Sequence, residues 1–120
     1  MLYEDNHVIA VNKRVGDIVQ GDKTGDTPLS DIVKQYLKQK YNKPGEVFLG
    51  VVHRLDRPTT GVMLFAKTSK ALARLNTMFA NKQEVQKTYW ALVDAKPPVE
   101  KDTLTHWLVR NEKQNKSVAY

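Results

Sequence analysis

The sequence predicts an α+β fold, a mixed and largely antiparallel β-sheet flanked by helices. Three observations carry that expectation. Short apolar runs rich in β-branched and aromatic residues recur between turn residues, at 7–13, 47–52, 62–66 and 85–93. Two longer stretches, over 28–40 and 70–82, instead repeat their apolar residues every three or four positions, which is the helical period. The resulting order is strand, helix, two strands, helix, then a strand hairpin, the order of an α+β domain.

Each element has its own warrant. His7-Val8-Ile9-Ala10-Val11-Asn12-Lys13 reads as a short buried strand, and the polar, glycine-containing stretch 22–26 as a loop. Thr27 is the expected N-cap of the first helix, with Pro28 in its first turn. Leu29, Ile32, Val33, Tyr36 and Leu37 form its apolar stripe, while Lys34, Lys38 and Lys40 lie off the stripe as a solvated face. Asn42-Lys43-Pro44-Gly45 ends it. Strands at 47–52 and 62–66 follow. Ser69 then caps a second helix, running from Lys70 to about Lys82, whose stripe is Leu72, Leu75, Met78 and Phe79. Val85–Val93 reads as a strand, Pro97-Pro98 as a break, and Thr103–Arg110 with Ser117–Tyr120 as the two arms of a hairpin.

Composition bounds the function classes. At 120 residues without a long linker, one domain covering 1–120 is expected. No apolar run approaches the roughly 20 residues that cross a bilayer, so no membrane partner is expected. The acidic start, Met1-Leu2-Tyr3-Glu4-Asp5, is no secretory signal. With no cysteine, disulfides, thiolate metal sites and thiol nucleophiles are excluded together, which fits a cytoplasmic protein. The net charge is +6. Residues 1–60 hold nine Lys/Arg against eight Asp/Glu (+1), and residues 61–120 hold ten against five (+5). A basic half favours long-range attraction to nucleic acid.

The chemistry concentrates between the two central strands, in His53-Arg54-Leu55-Asp56-Arg57-Pro58-Thr59-Thr60-Gly61. One carboxylate and two guanidiniums fall within four residues, closed by Pro58 and Gly61. Turn chemistry with a local ion pair accounts for such a stretch. A carboxylate fixed beside cations also suits a nucleophile or base working near a polyanion. Arg54 and Asp56, two residues apart, share one face of an extended chain if pairing continues through them.

The run from His53 through Val62-Met63-Leu64-Phe65-Ala66-Lys67-Thr68 resembles the signature of the RluA-type pseudouridine synthases, which modify ribosomal and transfer RNA, with Thr60 where the family usually has serine. Val11-Asn12-Lys13 with Gly16 resembles the strand that opens family members, with Arg14 in place of the usual proline. Lys87-Thr88-Tyr89 resembles the family's second motif, Lys-x-Tyr. The resemblance implies a pseudouridine synthase-like fold, isomerisation of uridine in structured RNA, and no metal or organic cofactor. It implies Asp56 as the catalytic carboxylate, acting as nucleophile or base. Tyr89 would lie against the target base, near the proton step at C5, with Lys87 beside it on the RNA side. Arg54 would bind RNA and help extrude the nucleotide, and Arg57 is assigned to a phosphate on its charge alone.

A third family motif, resembling Arg-x-x-His-Gln-Ile-Arg, supplies a cation to the catalytic aspartate and has no match here. The chain is therefore expected to be the N-terminal part of a catalytic domain, inactive or severely impaired alone, with an unpaired sheet edge near Ser117–Tyr120 open to self-association. The alternatives are a non-catalytic RNA-binding module that retains the signature, and an interaction domain with no RNA partner.

Overall fold

Strand β2, Val8–Lys13, is the spine of the first structural unit. In the computed structural model, which describes residues 1–120, β2 is flanked by the short β1, Tyr3–Glu4, and by β4, Gly61–Ala66. The two-residue β3, Gly50–Val51, closes the order β1-β2-β4-β3. Every pairing in this sheet is antiparallel, and with its two helices the unit is α+β. The longest ladder runs from Val8 opposite Ala66 to Lys13 opposite Gly61.

Side chains alternate across this sheet as pleating requires. On one face Ile9, Met63 and Phe65 are buried beneath helix α1, Leu29–Lys40, which contributes Leu29, Val33 and Leu37 to the same core. Lys13 follows Ile9 and Val11 on that face and is fully buried. On the opposite face lies helix α2, Ser69–Ala80. There the Gly50 backbone comes so close that a Cβ built on it would stand 2.8 Å from Leu72 Cδ1. The apolar stripe of α1 is split: Leu29, Val33 and Leu37 are buried, while Ile32 and Tyr36 stay at the exposed margin. In α2 only Ala71 is fully buried, and Met78 is exposed.

The helix ends differ from the expected caps by one residue. Pro28, not Thr27, occupies the N-cap of α1 in extended conformation, without a side-chain hydrogen bond. Its buried ring suits the entry to a helix, where a missing N–H costs nothing. At α2 the cap is Thr68 rather than Ser69, because the Thr68 hydroxyl accepts the Ala71 N–H at 3.1 Å. Helix α2 ends at Ala80, two residues before the expected Lys82. Helix α1 closes at the expected turn. Asn42 sits in the left-handed region (φ 48°), the Asn42 N–H reaches Gln39 O, and the Lys43 N–H reaches Lys38 O at 3.0 Å.

Glu4 ties three segments together. Its carboxylate accepts from Lys40 Nζ at 2.9 Å and Tyr36 Oη at 3.2 Å on α1, from Tyr41 Oη, and from Lys67 Nζ at 2.8 Å just past β4. Lys67 also donates to the Asp5 carbonyl at 2.7 Å. Lys67 lies within the conspicuous 53–68 run, yet its observed work is to hold β1 and α1 to the end of β4.

Residues Thr88–Tyr120 form a second unit, distinct from Met1–Lys87, where a single domain is expected. Its ordered element is a hairpin of β5, Leu108–Asn111, and β6, Lys116–Ala119, extended by mutual backbone bonds between Trp107 and Tyr120 at 3.0 and 2.9 Å. Strand β5 starts five residues later than the expected Thr103. The strand expected over Val85–Val93 does not form. Its β-propensity is high, but strand structure requires a ladder partner and a surface to cover, and Trp90 and Leu92 are almost wholly exposed. The central strand over 47–52 likewise shrinks to β3, with Val47 buried outside any ladder. No helix is long and apolar enough to cross a membrane.

The Glu4 cluster sets an acid limit on the first unit. Hydrogen bonds from Lys67 first, then Tyr41, hold the Glu4 carboxyl at about 2, below its ordinary 4.5. Between those values the unfolded chain binds the proton and the folded one does not, so this stabilisation is complete above about pH 4.5 and fades as pH falls towards 2. Urea midpoints followed from pH 6 to 2.5 should show this loss, and Glu4→Gln should start lower at pH 6 and lose less on acidification.

Candidate functional site

The 53–61 segment leaves the sheet in a defined way. Ladder pairing of β3 stops at Val51, opposite Phe65. Two residues on, the His53 imidazole replaces the backbone: its Nε2 accepts the Leu64 N–H at 3.0 Å. This fixes the neutral tautomer with the proton on Nδ1. The ring also stacks on Phe79 of α2, with centroids 5.0 Å apart. Burial first, and the Lys87 charge second, push the His53 pKa below 6.5. His53 thus serves the fold, as a hydrogen-bonded histidine at a strand end.

Beyond His53 the residues alternate. Arg54 and Asp56 are exposed, and Leu55 turns inward against the core. The two charged residues therefore lie on the same side, although strand pairing does not continue through them. They form no ion pair: every salt bridge of the chain lies elsewhere. A turn then forms, with the Thr59 N–H donating to the Asp56 carbonyl at 2.9 Å. Gly61 re-enters the sheet at φ 142°, a conformation that L side chains avoid.

The turn is held from beneath by Lys13. Its buried ammonium donates to three carbonyls, Thr59 O at 2.7 Å, Arg57 O at 3.0 Å and Arg14 O at 3.1 Å. It forms no salt bridge, and the three carbonyl dipoles satisfy all three donors of the ammonium. The Gly16 N–H adds a second bond to Arg57 O at 2.9 Å. The carbonyls of Asp56 and Arg57 are both bound, while residue 56 itself remains exposed.

Arg57, expected at a phosphate, is engaged inside the chain. Its guanidinium meets Asp26 Oδ2 and Gly16 O at 3.0 Å each, and Asp22 Oδ2 at 3.2 Å. Lys87 sits with Nζ 5.6 Å from the Phe79 ring centroid, on the same aromatic that His53 stacks against. Tyr89 is exposed and belongs to the second unit, on a segment without the strand that was to carry it. Arg54, Asp56, Arg57 and Lys87 are thus all in the first unit. A groove of about 320 Å³ between β2 and α1, lined by Val11, Ile32 and Tyr36 among others, contains none of them.

Sequence reasoning missed three supports: Lys13, Asp22 and Asp26. Lys13 carried a signal, because it continues the inward register of Ile9 and Val11. A lysine at a strand end ordinarily reads as solvated, and that reading conceals its role.

Comparison with known proteins follows the same residues. The family model described as RNA pseudouridylate synthase matches residues 7–120. A ribosomal large subunit pseudouridine synthase C from Buchnera aphidicola is 34% identical over 116 residues, covering 97% of this chain and 35% of the relative. A tRNA pseudouridine synthase C from Vibrio cholerae is 39% identical over 93 residues, covering 78% of this chain and 36% of the relative. Among solved structures, human RNA pseudouridylate synthase domain containing 4 superposes with a TM-score of 0.58 at 28% identity, over 68% of this chain and 30% of that one. The chain spans about a third of the length of the curated relatives it matches.

Two measurements test this geometry. Lys13→Met leaves the Thr59 and Arg14 carbonyls without their donor and should cost about 2–4 kcal/mol in urea unfolding. For His53, the folded pKa lies below the unfolded 6.5, so between the two values only the unfolded chain is protonated. Stability should fall as pH drops below about 6.5 and level off once the folded imidazole also titrates. His53→Gln, which can still accept from Leu64, should flatten that portion of the curve.

Proposed function

The chain belongs to the RNA pseudouridylate synthase family, and from that premise we propose that it supplies the carboxylate side of an active site isomerising uridine to pseudouridine in structured ribosomal or transfer RNA. The observation that carries this reading is the pair Arg54 and Asp56, exposed side by side and unpaired on a turn whose backbone is pinned by a buried ammonium. The local ion pair that turn chemistry alone would supply in this stretch does not form. Here both charges are left available to something outside the chain.

The reaction needs little else. The bond from ribose C1′ to N1 breaks, the base turns, and C1′ bonds to C5. The C5 proton departs and N1 gains one, so nothing is added or lost overall. A stacked base cannot rotate, so the nucleotide is first extruded from the RNA. Asp56 then acts at the sugar, either attacking C1′ or removing a ribose proton. Arg54 holds a neighbouring phosphate and steadies the extruded nucleotide. Tyr89 is assigned to the base and the proton step at C5, and Lys87 to the adjacent RNA backbone. RNA is the partner and the cytoplasm the compartment, in keeping with a basic, cysteine-free chain.

A second reading is favoured by one observation. No cation of the chain forms an ion pair with Asp56, so no charged partner within these residues orients its carboxyl. On that reading these 120 residues bind RNA without turning it over. Asp56→Ala separates the two. If Asp56 is catalytic, conversion of uridine in an RNA stem-loop falls by orders of magnitude while RNA affinity stays within about twofold. If these residues only bind, conversion is already absent in the parent chain and the substitution changes nothing. With no partner charge at Asp56, the 120 residues alone are expected to be inactive or severely impaired, and full activity in the same assay would refute that expectation.

A further inference from the structure

Arg57 combines a fixed backbone with a partly exposed side chain whose charged partners all lie on a surface loop. Its carbonyl is bound by the fully buried Lys13 at 3.0 Å and by the Gly16 N–H at 2.9 Å. Its guanidinium donates to the Gly16 carbonyl at 3.0 Å and, on the 22–26 loop, to Asp26 at 3.0 Å, Asp22 at 3.2 Å and Thr24 Oγ1 at 3.3 Å, with the arginine side chain itself 39% exposed. Solvent-exposed pairs of this kind contribute little, so exchanging them for another anion costs little. The carboxylates sit on a loop whose residues 20–27 are all exposed and make no core contact. A two-carboxylate fork presented to one guanidinium imitates the bidentate oxygens of a phosphate.

We propose that Asp22 and Asp26 are an internal stand-in for RNA phosphate: they hold Arg57 in the free chain, and an arriving phosphate takes their place and releases the loop. This inference rests on the RNA reading above. The exchange leaves Asp56 undisturbed, because the backbone of residue 57 is bound by Lys13 and Gly16 and not by the loop carboxylates. It also makes the loop a brake on non-specific binding, since only RNA that sets a phosphate directly at Arg57 recovers the lost pairs.

The test is a cycle of substitutions read by binding of a labelled uridine-containing RNA stem-loop. Asp22→Asn with Asp26→Asn should tighten binding about three- to tenfold, the equivalent of two surface pairs no longer competing. In an Arg57→Met background the same pair of changes should shift affinity by less than about twofold. Asp31→Asn with Glu46→Gln, which removes two negative charges elsewhere, is the control for bulk charge and should have a similarly small effect. Equal tightening with Met at position 57, or from the control pair, would overturn the proposal.

Amide exchange on the unaltered chain tests it without any substitution. On saturation with the stem-loop, exchange across 22–26 should speed up while Gly16 keeps its protection. Unchanged or slower exchange in that loop overturns the proposal. RNA binding without coupling refutes the stand-in alone, whereas no binding by any variant refutes the RNA reading and the stand-in with it.

Discussion

One buried ammonium organises the first unit. Lys13 ends the central strand on the core-facing side, where a methyl or phenyl would be usual, and its three protons are shared among three backbone carbonyls from two separate segments. Desolvating a charge is costly, and the cost is offset only while all three acceptors stay in place. That requirement runs in both directions. The strand end needs the 57–59 turn, and the turn needs the strand end, so the two arrive at their positions together. Gly61, opposite Lys13 in the ladder, then adopts the positive φ that leads the chain from the turn into β4.

The consequence is a separation between what is rigid and what is free. Around Asp56, backbone groups are bound at residues 56, 57 and 59, while the side chains of Arg54 and Asp56 have no partner within the chain. The backbone there is fixed in advance while the charged side chains face outward. At the opposite end of β4 the logic is reversed. The Glu4 carboxylate is there shared between Lys40 and Lys67 and accepts the hydroxyls of Tyr36 and Tyr41 as well, so its oxygens are all engaged within the chain. One end of the sheet is tied off, and the other is left chemically available.

Much of this was legible in the sequence, and the failures have physical reasons. The sheet, both helices and the 53–61 connection follow from apolar period and turn residues, because burial of one face dictates both. Helix caps slipped by one position where two hydroxyl residues adjoin, as at Thr68 and Ser69, since either can reach the same amide. The 85–93 strand failed because its residues favour extended structure only when another strand accepts them. Asp22 and Asp26 were invisible as partners of Arg57, lying 35 and 31 residues away across a loop with no period of its own. Asp56 stood out in the sequence through its neighbours in the motif, whereas its lack of an ion pair with Arg54 depends on how the folded chain directs both side chains.

The division of aromatic residues between the two units governs which optical signals report on which part of the molecule. Both tryptophans, Trp90 and Trp107, lie in the second unit with their indoles in water, 97% and 83% exposed. Their emission starts at the solvated limit and has almost no room to shift when the β2 core comes apart. Tyr36 and Tyr41 stand on the Glu4 carboxylate within the first unit, so ultraviolet tyrosine difference spectra follow that core directly. Indole fluorescence would register little while the sheet melts, and phenol absorbance would record it.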